Sequence, residues 1–410
     1  MTAYGGAIAP ELVTLAAVLE ARERIGDRLR RTPTWKAESL SRVCGRTVLL
    51  KAEHLQRTGS FKPRGALNLL SSLPPDLDEV VAASAGNHAQ GVALAAGLTG
   101  RHATVFMPVT ASLPKVQATR DYGADVILEG DTVDDAIALA KARAELTGAA
   151  FAPPFDHPLV IAGQGTVGLE IVEDAPEAET VVVPVGGGGL ISGVATALHH
   201  LAPTVRVVGV QAEGAACLLP SMEAGTARAL DRVTTIADGI AIKSPSPLTL
   251  AHAQAYVDDV VTVDDDEIGR ALVLLLERAK SVIEPAGAVG LAALLAGKVP
   301  GDGPALVVLS GGNVDPLLLV KLIEYGLSAS GRFLRISTRV PDHPGALAEL
   351  TKVIAAQDVN VLDVEHHREG AGVGVDEVEV DFTLETHDWA HGEQVLAALE
   401  LRGVTVEVVR

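Results

Sequence analysis

The sequence predicts an α/β protein, with parallel-sheet architecture over most of the chain and a small ferredoxin-like module at its end. Three observations point there. From residue 80 onward, short apolar strands alternate with helix-forming runs, the signature of βαβ units on a parallel sheet. Hydrophobic residues make up 48% of the chain but aromatic ones only 3%, so the core must be built from Ala, Val, Leu and Ile, which suits helices packed on such a sheet. After Gly331 the order of runs changes to β-α-β-β-α-β. With 410 residues, the chain is also too long for one ordinary core.

The elements follow in order. Val80–Ala83 reads as a strand, the Ala-rich run Asn87–Gly97 as a helix, Ala103–Met107 as a strand and Leu113–Tyr122 as a helix. Val126–Leu128 and Val133–Leu146 repeat the pair. Thr180–Val185 is a strand that runs into glycines, and Val205–Gln211 and Ala305–Leu309 are further strands. Asp264–Val282 and Ala286–Ala296 read as helices; Asp264, Asp265, Asp266 and Glu267 complement the positive end of the first. Beyond the Ser328–Gly331 linker, Phe333–Val340 alternates as a strand and Pro344–Ala356 reads as a helix. Val359–His367 and Val375–Thr386 follow as strands, then Trp389–Leu401 as a helix and Val404–Val409 as a last strand.

Charge and cysteine usage narrow the class. The formal net charge of −19 argues against nucleic acid or an anionic membrane as partner. Cys44 and Cys217 are too few for a disulfide framework and lack metal-binding spacing, so a reduced, cytoplasmic protein is the default. Met1–Val18 holds Glu11 and no basic stretch, unlike a signal peptide. Val181–Leu198 is apolar but contains five glycines, which suits a buried strand-turn-helix better than a membrane span.

Four segments carry chemistry. The first is Thr58-Gly59-Ser60-Phe61-Lys62-Pro63-Arg64-Gly65. Lys62 stands between an aromatic ring and a proline; a lysine so enclosed loses hydration, which disfavours its charged form and frees an amine for Schiff-base chemistry. Alone, such a lysine is far more often a solvated surface residue. The second segment, Ser84-Ala85-Gly86-Asn87-His88, follows a strand and opens a helix. A helix N-terminus binds an anion such as a carboxylate, and Ser84, Asn87 and His88 can add side-chain donors; a plain Ser/Asn cap is the simpler account. In the third, Gly186-Gly187-Gly188-Gly189-Leu190, several backbone N–H groups can converge on one phosphate. It lacks the full Gly-x-Gly-x-x-Gly dinucleotide spacing. The fourth, Ser310-Gly311-Gly312-Asn313, lies at the carboxyl end of a strand, where side chains reach ligands.

In this order the four segments resemble the pyridoxal-phosphate (PLP) β-family, and within it the threonine ammonia-lyases, also called threonine dehydratases. The resemblance implies fold type II, tryptophan-synthase-β-like, with two parallel-sheet subdomains. A catalytic domain over 1–328 is expected, its smaller subdomain (about 56–154) inserted in the larger. It implies that Lys62 carries PLP beside Phe61. Gly186, Gly187, Gly188, Gly189 and Leu190 bind the cofactor phosphate, and Ser310 faces the pyridine nitrogen. Asn87 contacts the phenolic oxygen and, with Ser84 and His88, the substrate carboxylate. A serine hydroxyl cannot hold a proton on the ring as an aspartate would, which favours β-elimination over transamination. The Glu284-Pro285-Ala286-Gly287-Ala288 stretch also matches the family near the cofactor ring, although Glu284 fits a helix N-cap equally well. Rival readings are a serine dehydratase or racemase of the same family, and a non-catalytic amino-acid-binding regulator.

Two departures matter. Racemases of the family carry a second serine at the position of Ala85, which cannot exchange a proton, so elimination should dominate. Gln211 and Cys217 stand where their metal loop has carboxylates, so no divalent metal is expected; a monovalent cation stays open. At the C-terminus, Asp342-His343-Pro344-Gly345-Ala346-Leu347 resembles the opening of an ACT domain over 331–410. That implies an amino-acid or nucleotide effector, and a homo-oligomer, a tetramer as in the family. His366 and His367 are adjacent and point to opposite faces of a strand, so they are not expected to share a metal.

Overall fold

The computed structural model describes residues 10–368 and 374–409. The reading of Met1–Val18 therefore falls partly on residues 1–9, outside the described residues. The chain divides into two compact units between Asp315 and Pro316. Among the described residues no helix is long and apolar enough to cross a membrane.

Among the described residues the first unit contains two sheets. Its strands are β1 (Thr34–Lys36), β2 (Val48–Lys51), β3 (Glu79–Ala83), β4 (His102–Met107), β5 (Asp125–Leu128), β6 (Ala150–Phe151), β7 (Thr180–Pro184), β8 (Arg206–Ala212), β9 (Asp259–Val263) and β10 (Ala305–Val308). Its helices are α1 (Leu15–Ile25), α2 (Glu38–Cys44), α3 (Lys62–Ser71), α4 (Asn87–Leu98), α5 (Leu113–Asp121), α6 (Val133–Thr147), α7 (Pro158–Asp174), α8 (Gly189–Leu201), α9 (Leu218–Ala224), α10 (Pro247–Tyr256), α11 (Asp265–Leu274) and α12 (Pro285–Leu295). A six-stranded sheet runs β1-β2-β10-β7-β8-β9 and a four-stranded one β5-β4-β3-β6. Every pairing is parallel except the β1–β2 hairpin. The central strands β2, β7 and β10 are buried throughout, as strands covered on both faces must be.

The periodicity missed α7, at 17 residues the longest helix of the unit. It opens with Pro158 behind a His157 cap, and Gly163, Gly165 and Gly168 break its apolar pattern. Those glycines serve close approach. A Cβ on Gly163 would lie 2.5 Å from the Arg64 carbonyl oxygen, and one on Gly165 would lie 3.0 Å from that of Gly193 on α8. The expected helix Asp264–Val282 is shorter than its pattern: α11 stops at Leu274, a π turn covers Leu275–Ala279, and Lys280 turns left-handed at φ 54°. At its start Asp264 accepts from Glu267 N–H at 2.7 Å, closing a capping box.

The second unit opens with α13 (Pro316–Ala329). Ser328 and Ala329 are thus the last turn of a helix rather than a linker. Ser330 Oγ bonds back to the Gly326 carbonyl, and Gly331 at φ 70° ends the run. Then come β11 (Phe333–Pro341), α14 (Ala346–Ala355), β12 (Asn360–His367), β13 (Glu377–Glu385), α15 (Trp389–Glu400) and β14 (Val406–Val408). The sheet order β12-β13-β11-β14, all antiparallel, is the ferredoxin-like one. Ile336, Val380, Phe382, Leu384, Ile354, Val395 and Leu399 form its core. The helix expected from Pro344 starts at Ala346, because Gly345 holds the N-cap position at φ 99°.

Candidate active site

Residues 58–62 cross from the larger sheet to α3. Ser60 bridges Gly311, and Phe61 N–H donates to the Ser310 carbonyl at 3.1 Å, so the first and fourth segments lie side by side. Lys62 is the first residue of α3, with Pro63 behind it where a missing N–H costs nothing. Its Nζ donates to the Pro154 carbonyl at 3.0 Å and stands 5.2 Å from the centroid of the Phe61 ring. Burial lowers the amine from 10.5 to about 8, against the opposing pull of Glu284.

The second segment opens α4. Asn87 Nδ2 donates to Glu284 Oε1 at 2.8 Å, and Asn87 Oδ1 accepts from Asn313 Nδ2 at 2.8 Å; the same Asn313 nitrogen reaches the Thr58 carbonyl at 2.6 Å. This chain of amides joins all the segments except the glycine run. Ser84 Oγ accepts from Gly86 N–H at 3.1 Å, closing a local turn. His88, expected beside the substrate carboxylate, has its side chain engaged by the protein. It is buried, its Nε2 is 2.9 Å from the Ala152 carbonyl, and its value falls to about 3 through burial and the nearby Lys62 charge. It is a neutral donor that holds the end of β6.

The glycine run joins β7 to α8. Gly188 takes φ 90° at the N-cap, a conformation that excludes most side chains. A Cβ on Gly187 would lie 2.6 Å from Phe155 Cγ, on Gly188 2.8 Å from Thr249 Cβ, and on Gly186 3.0 Å from Ile240 Cα. Only bare backbone fits against these neighbours. Leu190 turns its side chain into the core, so only its N–H is available to the cradle. Pro154 and Phe155 are consecutive: one holds the lysine and the other lines the cradle.

Ser310 is buried at the end of β10. Glu284, which the sequence left between two roles, occupies the N-cap position of α12, but its side chain makes no cap bond. Its carboxylate instead accepts from Asn87. Burial, and then the negative charge of Asp238, raise it from 4.5 to about 7. Sequence reasoning also missed Asn313 as a partner of Asn87, Phe155, Thr249, and the ion pair of Lys115 with Asp238 at 2.8 Å. None of these has a local pattern except Thr249, which closes a capping box with Ser246, three residues before it. Gln211 is fully engaged: Nε2 donates to the Val185 and Ala215 carbonyls, and Oε1 accepts from Leu218 N–H.

In the second unit, Asp342 pairs with Arg368 at 3.3 Å. His366 and His367 do face opposite ways: His366 is opposite Val380 of the core face, whereas His367 lies 3.3 Å from Glu365 and 3.4 Å from Asp381.

The arrangement fits a phosphate-bearing aldehyde cofactor. It offers a dehydrated amine, a backbone cradle in which any Cβ would clash, and two buried hydroxyls, Thr58 Oγ1 and Ser60 Oγ, without protein partners beside the amine's helix. Comparison with known proteins agrees. The model of the "Pyridoxal-phosphate dependent enzyme" family matches residues 25–311, and that of the "ACT domain" matches residues 334–401. An L-threonine ammonia-lyase of Thermotoga maritima is 46% identical over 401 residues, spanning 97% of this chain and 100% of that one. The crystal structure of a T.th. threonine deaminase superposes with TM-score 0.70 at 43% identity, covering 74% of this chain and 99% of that one. Maize serine racemase gives TM-score 0.73 at 36% identity over 78% of this chain and 99% of that one. The chain belongs to the pyridoxal-phosphate dependent enzyme family and carries an ACT domain behind the catalytic unit.

Proposed function

We propose that this protein is a PLP-dependent threonine ammonia-lyase, converting L-threonine to 2-oxobutanoate and ammonia and L-serine to pyruvate and ammonia. The observation that carries this reading is the pairing of a lysine amine lowered to about 8 with a glycine cradle through the consecutive residues Pro154 and Phe155. The full-length likeness to an L-threonine ammonia-lyase supports the choice of substrate.

PLP supplies the electron-withdrawing ring that makes the α-proton of an amino acid removable. Lys62 would hold it, the N–H groups of Gly186, Gly187, Gly188, Gly189 and Leu190 would bind its phosphate, and Asn87 and Ser310 would bind its ring. The Lys62 amine would also serve as the base at the α-carbon; a value near 8 leaves a useful neutral fraction at physiological pH. The N-terminus of α4 binds the substrate carboxylate, with Ser84 and Asn87 at its mouth and His88 behind them, fixing the strand end. Ser310 would offer the ring a hydroxyl that cannot hold a proton there, a setting that favours loss of the β-hydroxyl over transamination. Ala85 offers no acid to the opposite face, so racemisation is the minor path.

The C-terminal unit is proposed as an allosteric amino-acid sensor of a cytoplasmic tetramer that serves isoleucine formation. The Asp342–Leu347 turn is its candidate ligand site. Two measurements test the whole reading. Lys62→Ala should abolish covalent cofactor capture and threonine turnover while leaving the fold intact; unchanged capture would overturn the lysine assignment. Threonine turnover with and without isoleucine or valine should differ, and an enzyme indifferent to both, and to nucleotides, would make the C-terminal unit an assembly element.

A further inference from the structure

The reaction as described uses one side of the first turn of α3. The other side carries a buried ion cluster that it leaves unused. Arg64 comes two residues after Lys62, so the two side chains leave the helix in roughly opposite directions. Arg64 is 2% exposed. Its Nε and Nη2 donate to the two carboxylate oxygens of Glu53, each at 2.8 Å. Its Nη1 and Nη2 donate to the two oxygens of Glu170 at 2.6 and 3.0 Å, and Nη1 also reaches Thr166 Oγ1 at 3.1 Å. Lys51, fully buried on β2, stands 2.6 Å from Glu170 and donates to the Thr32 carbonyl at 2.8 Å. Two cations face two carboxylates at its centre, and at its solvent edge Asp174, which pairs with Arg31, also comes within 3.5 Å of Lys51.

Stability alone does not call for such a cluster, since well-packed apolar side chains often serve as well. What a planar double fork adds is direction: it fixes the angle as well as the distance of the groups it joins. Here it joins the turn after β2, through Glu53, and α7, through Glu170 and Thr166, to the helix that starts with Lys62. The backbone is seated just as tightly. A Cβ on Gly163 would lie 2.7 Å from Gly65 Cα, and one on Gly91 of α4 would lie 3.1 Å from the Lys62 carbonyl carbon. The first turn of α3 is therefore gripped by α4, α7 and the Arg64 forks together.

We propose that Arg64 is a positioning residue for the Lys62 amine: its forks to Glu53 and Glu170 set the rotation and depth of the first turn of α3, and with them the place of the amine at the Pro154 carbonyl. This inference rests on Lys62 being the cofactor lysine. The groups that face the amine are Glu284 from the segment before α12, His88 from α4, the Phe61 ring and the Pro154 carbonyl. None belongs to the Arg64 cluster, so Arg64 reaches the amine through the backbone.

The test uses the full-length protein freed of cofactor. Arg64→Lys keeps the charge and removes the double fork. Thr166→Val removes one acceptor and is the gentler change. Arg31→Ala is the control; Arg31 pairs with Glu173 and Asp174 on the solvent side of the same region and is 53% exposed. The readouts are the rate of covalent capture of added pyridoxal phosphate, followed by absorbance, the pH midpoint of that capture, and kcat and KM for threonine. Arg64→Lys should slow capture and lower kcat by about tenfold or more, move the midpoint by about half a unit, and leave KM within about threefold. Thr166→Val should shift the same quantities less, and Arg31→Ala should move none of them. If Arg64→Lys and Thr166→Val lower only the melting temperature, with capture, midpoint and kcat within about twofold of the parent, the cluster is structural and the inference falls. Should Arg64→Lys fail to fold, Thr166→Val and Glu170→Gln decide by the same criteria. Lys62→Ala run alongside separates the two claims: capture surviving in it would refute the lysine assignment instead.

Discussion

Replacing Lys62 by methionine should make the cofactor-free protein more stable. Methionine comes within one atom of the length of the lysine side chain and removes the charge. The folded protein lowers the amine from 10.5 to about 8, chiefly by burial. A displacement of that size corresponds to about 3 to 4 kcal/mol at most. The residue is only partly buried, and screening brings the figure to about 2 kcal/mol. The hydrogen bond to the Pro154 carbonyl is lost, at about 1 kcal/mol, but a buried methyl group recovers a similar amount. A gain of about 2 kcal/mol raises the melting temperature of a unit this size by roughly 4 °C. The sign with pH is fixed. The folded value lies below the unfolded one, so between about 8 and 10.5 the unfolded chain binds more protons and the parent gains stability as pH rises. The advantage of Lys62→Met is therefore full below pH 8 and gone above 10.5. Thermal melts of both proteins at pH 7 and at the alkaline end of this window measure it. A variant no more stable than the parent at pH 7, or one whose gain persists unchanged at alkaline pH, would refute the claim that burial is what prepares this amine.

Three further outcomes are expected. Gly187→Ala places a methyl group 2.6 Å from Phe155 Cγ and should weaken pyridoxal-phosphate affinity by about tenfold or more; a titration within twofold of the parent would show that the cradle tolerates a side chain. Glu284, raised to about 7 by burial and Asp238, should give the activity an acid limb near neutrality that Glu284→Gln abolishes, and a pH–rate profile unaltered in that variant would assign the limb elsewhere. L-Serine should yield pyruvate with little D-serine because Ala85 cannot protonate the opposite face, so comparable yields of the two would overturn that role for Ala85.

Much of this was legible because the informative residues are local. The glycine run and the Lys62 turn each declare themselves within a few positions, as strand-turn-helix junctions do. The C-terminal β-α-β-β-α-β order was readable because its strands alternate cleanly, with Leu334, Ile336 and Val340 inward on β11. What stayed hidden was of two kinds. Helix α7 is glycine-rich and buried from Val160 to Ile171, with Gln164, Thr166 and Glu170 buried among its apolar residues, so it lacks the amphipathic period that reveals surface helices. The partners within the site are distant in sequence. Asn87 meets Glu284 across 197 positions and Asn313 across 226, and nothing in either residue's neighbours announces the meeting. The protein partner of His88 was hidden for a related reason: nothing beside a histidine at a helix start announces that its Nε2 meets the Ala152 carbonyl, 64 positions away.

The order of the larger sheet has a consequence for synthesis of the chain. β2, made early, is joined to β7 only through β10, which pairs with both, and β10 begins at Ala305. Until that strand leaves the ribosome, the β1–β2 hairpin has no place to dock, and β2 and β7 each present an open edge of buried-type residues. The four-stranded sheet has no such dependence, since its strands lie between Glu79 and Phe151 and can pair as soon as they appear. A chain stopped just short of residue 305 would therefore hold a finished inner sheet beside two unpaired edges, and should aggregate. One stopped at the Asp315 boundary closes the sheet and should not.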